Sequence, residues 1–348
     1  MRKWTWILFV FLLFPLILSG CFGLSGKEEI DPPETVNYEE EIGLEENEGQ
    51  LEENESEQST SVQTELYLID KNGYVVPKTF SLPITESVAK QALEYLVEGG
   101  PITNLLPDDF RAVLPAGTEM SIDIKDGIAT IDFSKEFKEY APEDELRILQ
   151  SVTWTMTQFE TVDAVKLQIN GTEITEMPVN KTPIQPLLSR KSGINFQNEP
   201  VVDVTNTYPI TVYYVAQTDE NYYYVPVTKR ISNKREDKAR AIIEELIKGP
   251  DMKSELFTLL MPDVQLLEDP IMNDGVVTVN FNENILGSYD KKLITSPVLD
   301  TIVLSLTEEE GIESVSVQVK GETNLVTQEG EPLTLPVSRP KIVNASSF

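Results

Sequence analysis

Asp126, Asp132, Asp144 and Glu160 are the side chains whose type and spacing most readily suggest catalysis. Two carboxyl groups held about 5 to 9.5 Å apart suffice to cleave a glycosidic bond, one protonating the leaving oxygen while the other acts as nucleophile or base. The surrounding sequence argues against that use. Asp126 and Asp132 lie in Asp-Gly-Ile-Ala-Thr-Ile-Asp-Phe, and Asp274 opens a second version, Asp-Gly-Val-Val-Thr-Val-Asn-Phe, in which Asn280 replaces the second acid. Asp-Gly is a turn sequence, so backbone geometry alone accounts for Asp126 and Asp274. With 58 acidic residues in the chain, neighbouring carboxylates are expected by chance. No residue is nominated as catalytic, and the chain is not expected to be an enzyme.

Composition narrows the chemistry further. Histidine is absent from the 348 residues, and Cys21 is the only cysteine. Ser-His and Cys-His triads and metal sites built on His or Cys are therefore excluded, as are intrachain disulfides. No P-loop and no dinucleotide-binding glycine pattern occur, so neither a metal nor a cofactor is expected. The net charge of −30, from 28 basic and 58 acidic residues, would repel nucleic acid and anionic headgroups.

Aromatic residues offer binding chemistry instead. Tyr208, Tyr213, Tyr214, Tyr222, Tyr223 and Tyr224 cluster in one stretch. Such rings can stack on sugars or anchor a protein partner, but tyrosine is also a strong strand former. Alternation sets Tyr223 on one face and Tyr222 and Tyr224 on the other, which makes Tyr222 and Tyr224 the candidate partner surface. Trp154, matched by Leu304 in the second copy, is expected to be buried.

The N-terminus suggests an anchor. Arg2 and Lys3 precede an apolar run from Trp4 to Leu18, followed by Leu18-Ser19-Gly20-Cys21. The run falls short of the roughly 20 residues a membrane-spanning helix needs and has the layout of a signal peptide over residues 1–20. Leu-Ser-Gly-Cys resembles a bacterial lipobox, which implies cleavage between Gly20 and Cys21, diacylglycerol on the Cys21 sulfur and an N-palmitoyl group. Such chains hold a protein stably at a membrane, each buried CH₂ contributing about 0.8 kcal/mol. From Lys27 to Gln63 there are 14 acids and one lysine. That composition buries too little apolar surface to offset ordering entropy, so residues 21–63 read as an acidic, disordered tether.

Beyond the tether, the chain is one unit written twice. Ser151 to Thr172 matches Thr301 to Glu322 without a gap, and Ala89, Ala92, Leu93, Leu96 and Val97 match Ala239, Ile242, Ile243, Leu246 and Ile247. A repeat of this length is a whole domain rather than a solenoid unit. In the first copy, strands over 64–69 and 74–80 flank an Asn-Gly turn, and an amphipathic helix follows Thr85. Strands over 119–124 and 128–133 come next, then a helix from about Asp144 to Glu160 with Leu149, Val152, Met156 and Phe159 on one face. A strand over 164–169 and a terminal ribbon complete the copy. This is the α+β pattern of helices on one face of a mostly antiparallel sheet. The expected layout is a first module over 64–182, a linker over 183–207, a second module over 208–340 and a tail over 341–348. The linker is long enough for the copies to move separately unless it packs against them.

These blocks carry a resemblance. The paired Asp-Gly-x-x-Thr-x-(Asp/Asn)-Phe segments, each preceded by a helix ending in Gly-Pro and followed by a helix and an apolar strand, resemble the GerMN domain of sporulation and spore germination proteins. The resemblance implies a membrane-anchored lipoprotein on the extracytoplasmic face, at the mother-cell membrane facing the forespore. Each copy is also similar to the ring-building motif of secretion-channel and sporulation-channel proteins. That implies protein partners in a trans-envelope complex between the two cells, for which the chain would act as adaptor or scaffold, with self-association possible. Two alternatives stand beside this reading: a lipoprotein that cleaves or binds cortex peptidoglycan, and a lipid-anchored solute-binding protein. The second fits poorly, because such receptors cross between two α/β lobes whereas these copies are sequential.

Overall fold

The computed structural model describes residues 61–196, 206–218, 221–233 and 237–345. Each copy opens with a long hairpin, β1 (Ser61–Asp70) with β2 (Val75–Pro83), and β8 (Thr207–Gln217) with β9 (Tyr222–Ser232). Pro77 lies opposite Tyr67, and Pro226 opposite Tyr213, in matching registers. Proline has no N–H to give to a ladder. The Tyr67 peptide turns instead toward the helix behind it: its N–H donates to Thr155 Oγ1 at 3.2 Å, and its carbonyl accepts from Ser151 Oγ. In the second copy the Tyr213 N–H donates to Ser305 Oγ at 2.8 Å.

A helix follows each hairpin, α1 (Val88–Glu94) and α3 (Lys238–Lys248). α3 starts at Asp237, whose side chain accepts from the Arg240 N–H, and stops at Gly249, at φ 80°. The first copy continues with β3 (Phe110–Arg111), β4 (Met120–Lys125), β5 (Ile128–Phe133), α2 (Glu145–Met156), β6 (Ala164–Ile169) and β7 (Thr172–Glu173). The second continues with β10 (Ile271–Asn273), β11 (Val276–Phe281), α4 (Ser296–Leu306), β12 (Ser314–Val319) and β13 (Val337–Ser338). The two four-stranded sheets run β4-β5-β6-β7 and β10-β11-β12-β13; β5 pairs parallel with β6, and β11 with β12, across the α2 and α4 connections.

The α+β class and the two modules are as the sequence reads. One sheet with helices on a single face is not. The hairpin forms a sheet of its own, and α2 touches both the hairpin and β6, as α4 touches β8 and β12. Beyond its first turn, a helix enclosed this way has no solvent side. Every residue from Ile148 to Met156 is buried, including Ser151, Thr153 and Thr155. The short hydroxyl side chains of Ser151 and Thr155 let the hairpin approach closely and supply some of its missing hydrogen bonds.

Both copies contribute to one continuous hydrophobic core. The described part of the segment read as a linker, 183–196, packs into the molecule: Leu188 bridges to Val165, and Ile194 is buried with Tyr67, Val75 and Trp154. β1 begins at Ser61, inside the stretch read as tether, and β8 begins at Thr207.

Candidate functional site

The acids that suggested catalysis hold turns and helix ends. Asp126 and Asp274 sit at φ 52° and 46° at the tips of the β4–β5 and β10–β11 turns. Gly127 follows at φ 78°, where a Cβ would lie 2.3 Å from Asp163 Oδ2, so only glycine fits. Asp132 Oδ1 accepts the Gly171 N–H at 2.8 Å, and Asn280 Oδ1 accepts the equivalent Gly321 N–H at 3.0 Å. One oxygen lone pair does this work in both copies, and the amide of Asn280 in addition donates to Glu268 Oε1 at 2.7 Å. Asp144 is gripped by Arg111 at 2.6 Å and Arg147 at 2.8 Å. Burial would raise its carboxyl, but those hydrogen bonds and charges prevail and hold it below the usual range. Glu160 is exposed at a helix end. Among the described residues no three Asp, Glu or Cys side chains are grouped so as to hold a metal ion, and no helix is long and apolar enough to cross a membrane.

The chemistry is concentrated where the copies meet. β2 lies against β9, and each is clipped by an asparagine from the segment following one of the modules. Asn195 accepts the Val75 N–H at 2.8 Å and donates to the carbonyls of Val75 at 2.7 Å and Pro226 at 2.9 Å. Asn344 accepts the Tyr224 N–H at 2.7 Å and donates to the carbonyls of Tyr224 and Pro77, both at 2.8 Å. Ile194 pairs with Thr228 through N–H···Oγ1 at 2.9 Å and O···H–N at 2.8 Å; Val343 pairs with Thr79 at 2.8 and 3.0 Å. The contacts repeat under a pseudo-two-fold relation.

Beside these clips lies a buried charge cluster. Glu308 accepts both Arg190 Nη1, at 2.9 and 2.8 Å, and Arg339 Nη1, at 2.8 Å, while the Tyr213 hydroxyl donates to it at 2.8 Å. Burial alone would push the Glu308 carboxyl up; the two guanidiniums and the tyrosine hold it down at about 2. The Arg190 guanidinium lies 4.5 Å from the Trp154 ring centre, and Arg339 reaches Glu65 at 3.6 Å. Here the copies diverge. Gln158, the counterpart of Glu308, instead braces the Glu65 backbone, accepting its N–H at 2.8 Å and donating to its carbonyl at 2.6 Å. An open cleft of about 790 Å³ borders the cluster, lined by Trp154, Arg190, Tyr208, Lys238 and Glu308 among others.

The two tyrosines proposed as a partner surface part company. Tyr222 is 49% exposed, whereas Tyr224 is 8% exposed, its hydroxyl donating to Asp300 Oδ2 at 2.9 Å. Alternation assigns the faces correctly, with Tyr223 buried on the other side, where its hydroxyl donates to Asp70 Oδ2 of the first copy at 2.8 Å. The hairpin, however, is covered on both faces: Tyr213, Val215 and Tyr224 pack with Leu304 and Val343. Of the two, only Tyr222, at the hairpin end, keeps an exposed ring. Trp154 is buried, as expected.

A family model described as Germane, sporulation and spore germination, matches residues 65–175 and 211–325. The chain is 53% identical over 350 residues to the spore germination protein GerM of Bacillus subtilis (strain 168), an alignment spanning 96% of this chain and 95% of that protein. The chain belongs to this family. The solved structure of the tandem GerMN domains of the sporulation protein GerM from Bacillus subtilis is 56% identical and superposes with a TM-score of 0.78, covering 82% of this chain and 100% of that one. This is thus a sporulation and germination protein with tandem GerMN modules.

The junction of the GerMN pair was missed by sequence reasoning, although a signal for it exists. Ser189-Arg190 with Ile194-Asn195 is repeated as Ser338-Arg339 with Val343-Asn344, each pair 149 positions apart. The repeat therefore runs through the segments read as linker and tail. Gly20 and Cys21, with the signal peptide and the tether up to residue 60, lie outside the described residues.

Proposed function

We propose that this chain is a membrane-anchored, non-enzymatic lipoprotein that works by contact, as an adaptor or scaffold in the sporulation envelope between mother cell and forespore. The observation that carries the non-enzymatic reading is the exchange of Asp132 for Asn280, two side chains that accept the same glycine N–H in the two copies. A site that tolerates an amide for a carboxylate needs a lone pair, not a proton-transfer group. The scaffold reading is supported by the junction, where reciprocal clips and a buried ion cluster join two modules into one body able to present fixed surfaces. The anchor rests on Cys21 and the residues before it. The match to proteins of sporulation and germination supports the process, and the extracytoplasmic face of the mother-cell membrane is the place this reading assigns to it.

The test is chemical crosslinking in sporulating cells with the natural chain and with Cys21→Ala. The expected result is recovery of envelope proteins with the natural chain and their loss when Cys21→Ala leaves the protein released or uncleaved. Normal processing and attachment of Cys21→Ala would remove the anchor. Release of reducing ends from cortex peptidoglycan by the purified protein, lost on Asp132→Asn, would replace contact by hydrolysis.

A further inference from the structure

The two copies differ sharply at one exposed corner, and the duplication itself supplies the comparison. In the first copy the corner between hairpin and helix is closed by a cation from within. Arg147, on α2, donates through Nε to the Gly73 carbonyl at 2.7 Å and through Nη1 to Asp144 at 2.8 Å. Its guanidinium occupies the space a side chain on Gly73 would fill, 2.4 Å from where that Cβ would sit. In the second copy the counterparts of Gly73, Arg147 and Gln150 are Tyr222, Pro297 and Asp300. The internal cation is gone; an aromatic ring stands at the position of Gly73, and a carboxylate at that of Gln150, which in the first copy accepts the Asn195 N–H at 3.2 Å.

That carboxylate has no counterion among the described residues. Asp300 is half-buried on α4, accepts the Tyr224 hydroxyl at 2.9 Å, and has Glu329 as its charged neighbour. Among the described residues no lysine or arginine pairs with it. Burial first, and then Glu329, push its carboxyl above the usual range, with the Tyr224 hydrogen bond opposing. Tyr224 meets Tyr222 edge-on, with ring centres 5.9 Å apart, so that Tyr224 links the half-exposed Tyr222 ring to the carboxylate. A planar cation satisfies both groups together: it stacks on a tyrosine face and donates to a carboxylate, which guanidinium does better than ammonium.

We propose that the Tyr222–Asp300 corner of the second module is the docking site for an arginine side chain of a partner protein. The inference rests on the proposed adaptor function and gives that contact its chemistry. The partner's guanidinium lies over Tyr222 and pairs with Asp300, putting a cation from another chain at the corner that Arg147 fills in the first copy. A strongly acidic chain draws a basic partner from a distance, and the corner selects arginine at close range.

The experiment places a photo-crosslinking phenylalanine analogue at Asn221, next to Tyr222, in the full chain in sporulating cells, with the same analogue at the exposed Tyr289 as comparison. The crosslinked peptides are sequenced. The expected product at Asn221 is one partner peptide containing arginine, with a yield that falls about tenfold or more in Asp300→Asn and in Tyr222→Leu, the loss typical of removing one member of a desolvated charge pair. Thermal unfolding of both variants checks that the fold is kept. A yield unmoved by either substitution, a peptide with lysine but no arginine, or a crosslink to a second copy of this chain would each overturn the proposal. Crosslinks from Tyr289 but none from Asn221 would remove this site and leave the adaptor function standing, whereas silence at both positions counts against both.

Discussion

Asn195 and Asn344, 149 positions apart, make the same three hydrogen bonds: each grips the N–H and C=O of one residue in its own module's hairpin and the carbonyl of a proline in the other's. Both hold a left-handed backbone, at φ 47° and 52°. Asparagine tolerates that conformation and supplies a donor and an acceptor on one short arm. Neither copy is therefore complete without the segment that comes after it, nor closed without the other copy.

Replacing either asparagine by glycine keeps the backbone angle and removes only the amide. Each change orphans backbone groups at the junction, at about 1–3 kcal/mol per group, so each variant is expected to lose about 2–4 kcal/mol. Urea unfolding of Asn195→Gly and Asn344→Gly measures this; a loss under about 0.5 kcal/mol would mean that the clips do not hold the copies together.

Glu308 gives the junction a pH dependence of defined sign. Its folded value, about 2, lies below the ordinary glutamate value, so the stabilisation is fully present above about pH 4.5 and disappears as pH falls toward 2. The difference in unfolding midpoint between the natural chain and Glu308→Gln should be constant from pH 5 to 7 and shrink below pH 4.5. Glu308→Ala, which strands Arg190 and Arg339, is expected to cost about 3–5 kcal/mol at pH 7.

Asp132→Asn keeps the acceptor that Asn280 supplies in the second copy and is expected to change stability by less than about 0.5 kcal/mol, while Asp132→Ala loses the acceptor for the Gly171 N–H and costs about 1 kcal/mol. Thermal unfolding of the two variants separates a turn-holding role from any other, since a large effect of the amide would show that the charge matters.

Asp300→Asn should make the protein more stable at pH 7, by about 0.5–1 kcal/mol, because an amide still accepts from Tyr224 and carries no unpaired charge. The folded carboxyl is raised, so its contribution is most favourable below the ordinary aspartate value and is lost as pH rises through the folded value. The advantage of the variant should therefore be widest near neutrality and vanish toward pH 3. Equal unfolding midpoints at pH 7 would show that the carboxylate is already compensated.

Much of each module was legible because strand and turn signals are local. Val165, Leu167 and Ile169 alternate with polar neighbours and line one buried face, and the Asp-Gly pairs turn where their chemistry requires. The second sheet was not legible. Ser151 and Thr155, one turn apart, look like the wet side of an amphipathic helix, yet they are the small polar side chains through which α2 meets the hairpin. Tyr224 was assigned to the correct face and the wrong environment, since alternation separates faces but cannot tell which of them another element covers. The junction escaped because one asparagine or arginine has no periodicity. It shows only when Ser189-Arg190 and Ser338-Arg339 are set side by side.

The reciprocal clips also order events in time. Val343 and Asn344 close contacts with Thr79 and Pro77, 264 and 267 positions earlier in the chain. A ribosome that has delivered the polypeptide only as far as Arg339 has made every helix and strand of both copies, but not the pair of residues that fastens the second ribbon onto the first. Closure of the junction thus waits for Val343 and Asn344, and their loss would be felt first at Thr79 and Pro77, in the hairpin that opens the first copy.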